Sequence, residues 1–185
     1  DGLGQVVPAV DALPERLAGS TLSEYIAARA AKEGRSIYLL GGDEGAAEGS
    51  VARWKERYPE LIVAGYSNPW LSCPVSPEEV ESLRAELNRC PADIVLVGLG
   101  APKQEYVSEA LRAHFPGSWF IGVGITFSFV AGLTKRAPLW IQRLGMEWIH
   151  RLVQEPRRLA RRYLLEDLPF TWTLFRDALR MRKKD

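Results

Sequence analysis

Val97-Gly-Leu-Gly-Ala-Pro-Lys-Gln-Glu105 closes a short apolar run and opens a polar, helix-forming stretch. Gly98 and Gly100 allow a backbone to approach a ligand closely. A helix start beyond them offers N–H groups and positive potential, which suit a phosphate. Lys103 adds a cation, and Gln104 can both donate and accept. The segment is not a Walker loop, since no Gly-Lys-Ser/Thr follows. It is not a full GxGxxG, since the third glycine is missing. From these residues alone a ligand-binding turn and a plain strand–helix turn stand level. Gly41-Gly42-Asp43-Glu44 also follows an apolar run. Its two acids would repel phosphate, so an ordinary helix start and a sugar or nucleotide contact both remain open. Further on, Arg157, Arg158, Arg161 and Arg162 fall within an arc of about 140° at roughly 100° per residue. Leu159, Ala160, Tyr163 and Leu164 take the opposite side. An arginine face backed by an apolar face is read as binding phosphate, anionic lipid or both, in preference to a merely solvated face. His114, His150, Cys73 and Cys90 read as packing or surface residues.

The elements that must position these residues alternate. Ser36–Leu40, Leu61–Ala64, Asp93–Val97 and Trp119–Val123 are apolar runs, each stopped by glycine, and read as strands buried on both faces. Between them lie helical segments. Thr21-Leu-Ser-Glu24 has capping-box spacing and leads into Tyr25–Lys32. Glu44–Tyr58 follows the first strand. Ser76-Pro-Glu-Glu79 is a second capping box, with Pro at the first helical position, leading to Asn88. Pro102–Phe115 follows the third strand. This alternation predicts an α/β fold, a Rossmann-like, mostly parallel sheet with helices on both faces. Ligands then bind outside the carboxyl ends of the strands. From Pro138 the pattern is helical, with Ile141, Leu144, Trp148 and Leu152 at helical spacing. The predicted division is a body over 1–137 and a helical appendage over 138–185.

The chain has 185 residues and 46% hydrophobic content, enough for a sizeable core. No stretch approaches the length of a membrane-spanning helix. No secretory leader opens the sequence, and a reducing cytoplasm fits. Two Cys and two His make neither a disulfide framework nor a Cys/His zinc site. Asp-x-Asp, the usual nucleotide–metal clamp, does not occur, and no metal or cofactor is expected. Residues 1–150 hold 14 Lys/Arg against 18 Asp/Glu, and residues 151–185 hold 10 against 5. An acidic body with a basic, aromatic tail (Tyr163, Phe170, Trp172, Phe175) points the tail at an anionic partner. Nucleic acid is disfavoured by the acidic body and the lack of a nucleic-acid-binding motif.

Taken together, the motifs resemble those of the bacterial TagA, WecG and CpsF glycosyltransferases. The matching segments are Asp1-Gly-Leu-Gly4, Glu15-Arg-Leu-Ala-Gly19, Tyr38-Leu-Leu-Gly-Gly42, Val97 to Glu105, Gly122-Val-Gly124, Ala131-Gly132, Lys135-Arg-Ala-Pro138, Glu147-Trp148, Arg151-Leu152, Glu155-Pro-Arg-Arg158 and Arg162-Tyr163. Each is weak alone. In this order, from the first residue to about Tyr163, they are specific.

The resemblance implies an inverting enzyme at the cytoplasmic membrane face. Such an enzyme moves an N-acetylmannosamine-type or related hexosyl unit from a UDP donor to an acceptor sugar on an undecaprenyl-diphosphate lipid, for teichoic acid or other cell-surface polysaccharide. It implies Asp1 as the base. It implies Arg151, Arg158 and Arg161 as stabilisers of the leaving diphosphate, with Arg16 and Gln104 lining the donor pocket. The basic appendage would both dock on the anionic bilayer and complete the active site. Two positions depart from the family pattern: Thr21 and Ser128 stand where the family commonly has Asp. The resemblance also implies a further segment ahead of the Asp-Gly motif, including an active-site hydroxyl residue. Two rival readings are a nucleotide-binding oxidoreductase and a non-catalytic adaptor for anionic membranes. The first lacks a full glycine fingerprint, and Gly65-Tyr66-Ser67-Asn68 offers no acid for a ribose.

Overall fold

A computed structural model describes residues 19–135 together with 137, 138, 141, 149, 152, 153 and 176. The chain divides after Lys135 into two compact units. The first holds α1 (Gly19–Glu33), β1 (Ser36–Gly41), α2 (Ala46–Arg57), β2 (Ile62–Ser67), α3 (Pro77–Arg89), β3 (Ile94–Gly98), α4 (Lys103–Arg112), β4 (Trp119–Gly122) and α5 (Thr126–Ala131). In the second, Ile141, Ile149, Leu152, Val153 and Arg176 are helical. The other readings made for 139–185 lie outside the described residues.

The four strands form one parallel sheet in the order β2-β1-β3-β4. The alternation of apolar side chains along β1 builds a core on each face. Ile37 and Leu39 pack with Leu96, with Ala27 and Ala30 of α1, with Ala46 and Trp54 of α2, and with Phe127 of α5. Tyr38 and Leu40 pack on the other face with Val95 and Val97, Leu83 and Leu87 of α3, and Val107 and Leu111 of α4. Right-handed crossovers explain the split. The step from β1 to β2 runs one way across the sheet and puts α2 on one face. The steps to β3 and β4 run the other way and put α3 and α4 on the opposite face. The chain thus reverses direction between β1 and β3.

Register is held at the amino ends of these two central strands. The Ser36 N–H and hydroxyl donate to Asp93 Oδ2 at 2.7 and 2.8 Å, and the Asp93 N–H donates back to Ser36 Oγ at 3.0 Å. The Asp93 carbonyl accepts from Trp119 N–H at 2.8 Å, which sets β4. From this latch the pairing runs from Ile37 opposite Ile94 to Gly41 opposite Gly98, without a bulge.

Three expectations are corrected. Only β1 and β3 are buried along their length. β2 and β4 border the described sheet and expose Ile62, Tyr66 and Trp119. The helix expected to start from a Thr21 capping box begins at Gly19. Glu24 is therefore inside α1, where its carboxylate accepts from Trp54 Nε1, Arg57 and the Tyr58 hydroxyl at 2.7–2.9 Å and ties α1 to α2. Helix α5 was not anticipated. The Ser76 box, by contrast, is present, with Ser76 N–H donating to Glu79 Oε2 at 2.7 Å and Glu79 N–H to Ser76 Oγ at 3.3 Å.

The Asp93 latch has a pH signature. Hydrogen bonds from Ser36 and the nearby Arg35 guanidinium hold its carboxyl below the usual range. A depressed carboxyl stabilises the fold above its unfolded-state value and loses that contribution as pH falls through its folded one. Asp93→Asn should cost about 1 kcal/mol at neutral pH, the low end for charge-assisted bonds because the side chain is partly exposed. In denaturant titrations the gap from wild type should narrow as pH drops below about 4. A gap constant with pH would show that the charge of Asp93 plays no part.

Candidate functional site at the carboxyl ends of the central strands

Reversal of the chain between β1 and β3 makes a topological switch point at their carboxyl ends, the place of the crevice in such sheets, because the following turns lead to helices on opposite faces. This is where parallel α/β sheets bind ligands. Both glycine turns singled out in the sequence lie here. They are joined by a hydrogen bond from Gly42 N–H to the Gly98 carbonyl at 3.0 Å.

The structure gives these glycines different work. A Cβ on Gly98 would stand 2.7 Å from Phe127 Cε2, and one on Gly42 would stand 3.1 Å from Phe127 Cδ2. The Phe127 ring, fully buried, thus fills the space that side chains at 42 and 98 would need. On Gly41 a Cβ would strike Leu99 Cδ2 at 2.7 Å. The room at Gly98 is therefore taken by an aromatic ring of the protein and not by a ligand. Gly100 differs. Its φ of +72° demands glycine, and nothing among the described residues lies within 4 Å of the Cβ position, so this turn is open on that side.

Lys103 Nζ donates to the Leu71 carbonyl at 2.6 Å, fastening the loop after β2 to the start of α4. The same loop is held by Glu79, which accepts from the Ser72 N–H and hydroxyl at 2.8 and 2.6 Å. Those bonds from Ser72 and Ser76 keep the Glu79 carboxyl below its ordinary range, with a smaller contribution from Lys103. An ammonium has three donors, so Lys103 retains capacity for an anion. Gln104 faces the next turn. Its Oε1 accepts from Gly124 N–H at 3.1 Å, its Nε2 donates to Glu105 at 2.8 Å, and its side chain packs on Gly122. Gly19, at the start of α1, sits against Val123 and Thr126 at the same rim.

Two side chains at the rim carry more than the sequence indicated. Asp43 is exposed, and its Oδ2 accepts a short hydrogen bond from the hydroxyl of Ser128, which is fully buried on α5. Ser50 on α2 donates to the Phe127 carbonyl at 2.9 Å, so α2 and α5 are joined beside the crevice. Glycines bracketing Phe127-Ser128, at 124 and 132, were the available signal for this short helix. A concavity lined by Glu24, Arg53, Trp54, Glu56, Arg57 and Val130 lies against α1, α2 and α5, and in it Trp54 and Arg57 donate to Glu24. Among the described residues no three His, Cys, Asp or Glu side chains group as a metal site, and no helix is long and apolar enough to cross a membrane.

Of the sequence-derived site residues, Gly41, Gly42, Gly98, Gly100, Lys103 and Gln104 share this rim. Asp1, Arg16, Arg151, Arg158 and Arg161 lie outside the described residues.

The contact between Gly98 and Phe127 generates a test. Gly98→Val should destabilise the protein by about 1–3 kcal/mol through overpacking. Adding Phe127→Leu should return part of that loss, because the two groups compete for one space. Strictly additive losses in thermal melts would show that the ring does not occupy this space.

The comparison with known families agrees with this architecture. Residues 7–184 match the family described as Glycosyl transferase WecG/TagA/CpsF family. The match takes in both glycine turns, the Phe127-Ser128 helix and the arginine-rich tail, and with nearly the whole chain inside it, the protein is an enzyme belonging to the WecG/TagA/CpsF family of glycosyltransferases.

Proposed function

We propose that the enzyme moves an N-acetylmannosamine-type or related hexosyl unit from a UDP-sugar to an acceptor sugar carried on an undecaprenyl-diphosphate lipid, with inversion at the anomeric carbon. The product feeds teichoic acid or another cell-surface polysaccharide, and the reaction takes place at the inner face of the cell membrane. The observation that carries this reading is the meeting of two glycine turns at the switch point of a parallel sheet, in a chain matched to glycosyltransferases over residues 7–184.

The chemistry asks for three things. The acceptor hydroxyl must lose a proton as it attacks, and a carboxylate is a suitable base; Asp1 takes that role. The leaving UDP gathers negative charge on its diphosphate, and cationic donors fixed at that point lower the barrier most. Arg151, Arg158 and Arg161 supply them, since the planar guanidinium fork matches two phosphate oxygens at once. The donor must also be held. Arg16 and Gln104 line its pocket, and the open turn at Gly100 with Lys103 lies under the diphosphate. The appendage over 138–185 meets the anionic bilayer through its arginine and aromatic residues, so catalysis is coupled to the surface that carries the acceptor. Arginine takes over the charge stabilisation that a metal provides elsewhere, and transfer proceeds without one.

Arg158→Lys with Arg161→Lys keeps the charge and loses the fork. Turnover should fall about a hundredfold, while binding to anionic liposomes is largely kept. Equal loss of both would favour the adaptor reading. Product mass spectrometry with a panel of UDP-sugars and a short-chain lipid-diphosphate acceptor identifies the donor, and a panel without any transferred product would overturn the assignment. Chelation should leave the rate unchanged. Loss of activity with EDTA, restored by Mg²⁺ or Mn²⁺, would overturn the metal-free mechanism.

A further inference from the structure

We propose that Asp43 is the group that recognises the sugar of the donor, its carboxylate accepting hydrogen bonds from hydroxyls of the hexosyl unit in an orientation set by Ser128. This rests on the donor reading above and adds to it a residue on the opposite side of the crevice from Lys103.

Asp43 follows Gly42 directly, at the carboxyl end of β1, where the turns after β1 and β3 diverge. The ordinary task for an aspartate just ahead of a helix is to cap it. Its side chain does not do so. Helix α2 starts from Gly45 without a side-chain cap, and it is the Asp43 backbone carbonyl that accepts from Ala46 N–H at 2.9 Å. The carboxylate instead takes the hydroxyl of Ser128, 85 positions away in the chain.

Ser128 is 0% exposed. A buried serine in a helix usually returns its hydroxyl to a carbonyl of the preceding turn. Here the hydroxyl reaches out of α5 to fix an exposed carboxylate at the crevice. Among the described residues no other group donates to that exposed carboxylate, and Oδ1 has no donor there. A side chain held at one oxygen and open at the other is arranged to meet a ligand that brings donors.

The charge selects the class of ligand. A carboxylate repels a diphosphate and accepts strongly from neutral hydroxyls. The turn at Asp43 and Glu44 therefore suits the polyol part of a nucleotide sugar, while the turn at Gly100 and Lys103 suits its phosphates. A charged acceptor aimed at a substrate hydroxyl also discriminates sharply, because an analogue without that hydroxyl leaves it unpaired. Asp43 is thus a specificity-determining residue, and Ser128 is its positioning residue.

The test compares two probes on the full chain by calorimetry: UDP-N-acetylmannosamine, which carries the sugar, and UDP, which does not. Asp43→Asn should weaken UDP-N-acetylmannosamine by roughly tenfold to a hundredfold and leave UDP within about twofold. Ser128→Ala should raise the KM for donor by a smaller factor, with kcat and UDP affinity little changed. That pattern is not produced by a merely structural serine. Equal weakening of both probes in Asp43→Asn would mean that Asp43 shapes the crevice and does not read the sugar. An unchanged affinity for UDP-N-acetylmannosamine would mean that Asp43 does not touch it. Either result overturns this inference and leaves the donor reading standing. Wild-type protein that bound neither probe would overturn both.

Discussion

Space for one aromatic ring governs the rim of this sheet. Strands β1 and β3 end at the same level, Gly41 opposite Gly98, and a hydrogen bond from Gly42 closes their ends together. Phe127 fits only because positions 42 and 98 lack side chains. The ring brings α5 with it, and α5 brings Ser128 to Asp43. Ser50 fixes the same helix from α2 through the Phe127 carbonyl. One packing contact therefore sets the crevice floor, the attachment of a helix and the orientation of an exposed acid. Interiors are close-packed, so such a contact has little room to adjust.

The sheet was legible because its signals are local and redundant. β1, β3 and β4 are apolar runs ended by glycine, β2 runs on through Gly65 to Ser67 where a stop at Gly65 was expected, and the Ser76 box states where α3 begins. The start of α3 agrees closely, since propensity and capping point the same way there. Where legibility failed, a distant partner had outweighed the local pattern. Thr21 and Glu24 have the spacing of a cap, yet Glu24 is drawn to three donors on and just beyond α2, and α1 begins earlier. The run from Ile125 to Val130 shows no decisive period, and its helix is defined by burial against two glycines that lie far away in sequence. The apolar runs of β2 and β4 could not announce that these strands lie at the borders of the described sheet, because position in a sheet is set by topology and not by composition.

The site divides along the same line. The glycine turns could be found by inspection, since a glycine pair after an apolar run has few uses. The reason for each glycine could not. Gly98 and Gly100 look alike in sequence, but one accommodates Phe127 and the other is open at its Cβ position among the described residues. Lys103 reads as a free cation in the sequence, whereas in the fold it also closes the loop after β2 by its bond to Leu71. Ser128 stood out only as a departure from a family pattern. Its partner on the turn after β1, a carboxylate from another element, could not be read from the sequence.

Charge balance links the described rim to the rest of the enzyme. The turn after β1 carries Asp43 and Glu44, and the first turn of α4 sets Glu105 beside Lys103. On the proposed reading a departing diphosphate carries more negative charge than a single lysine, partly engaged by a carbonyl, can offset. Residues 1–150 are themselves net negative, by 18 acids to 14 bases, so the deficit is not met by the general field of the body. The surplus of cations is in residues 151–185, ten against five acids. A transferase built this way gains from keeping its two charges on separate segments. The sequence thus divides its charge, with a carboxylate held by Ser128 at the rim and the cation surplus in residues 151–185, as the proposed transfer from a nucleotide-diphosphate sugar would require.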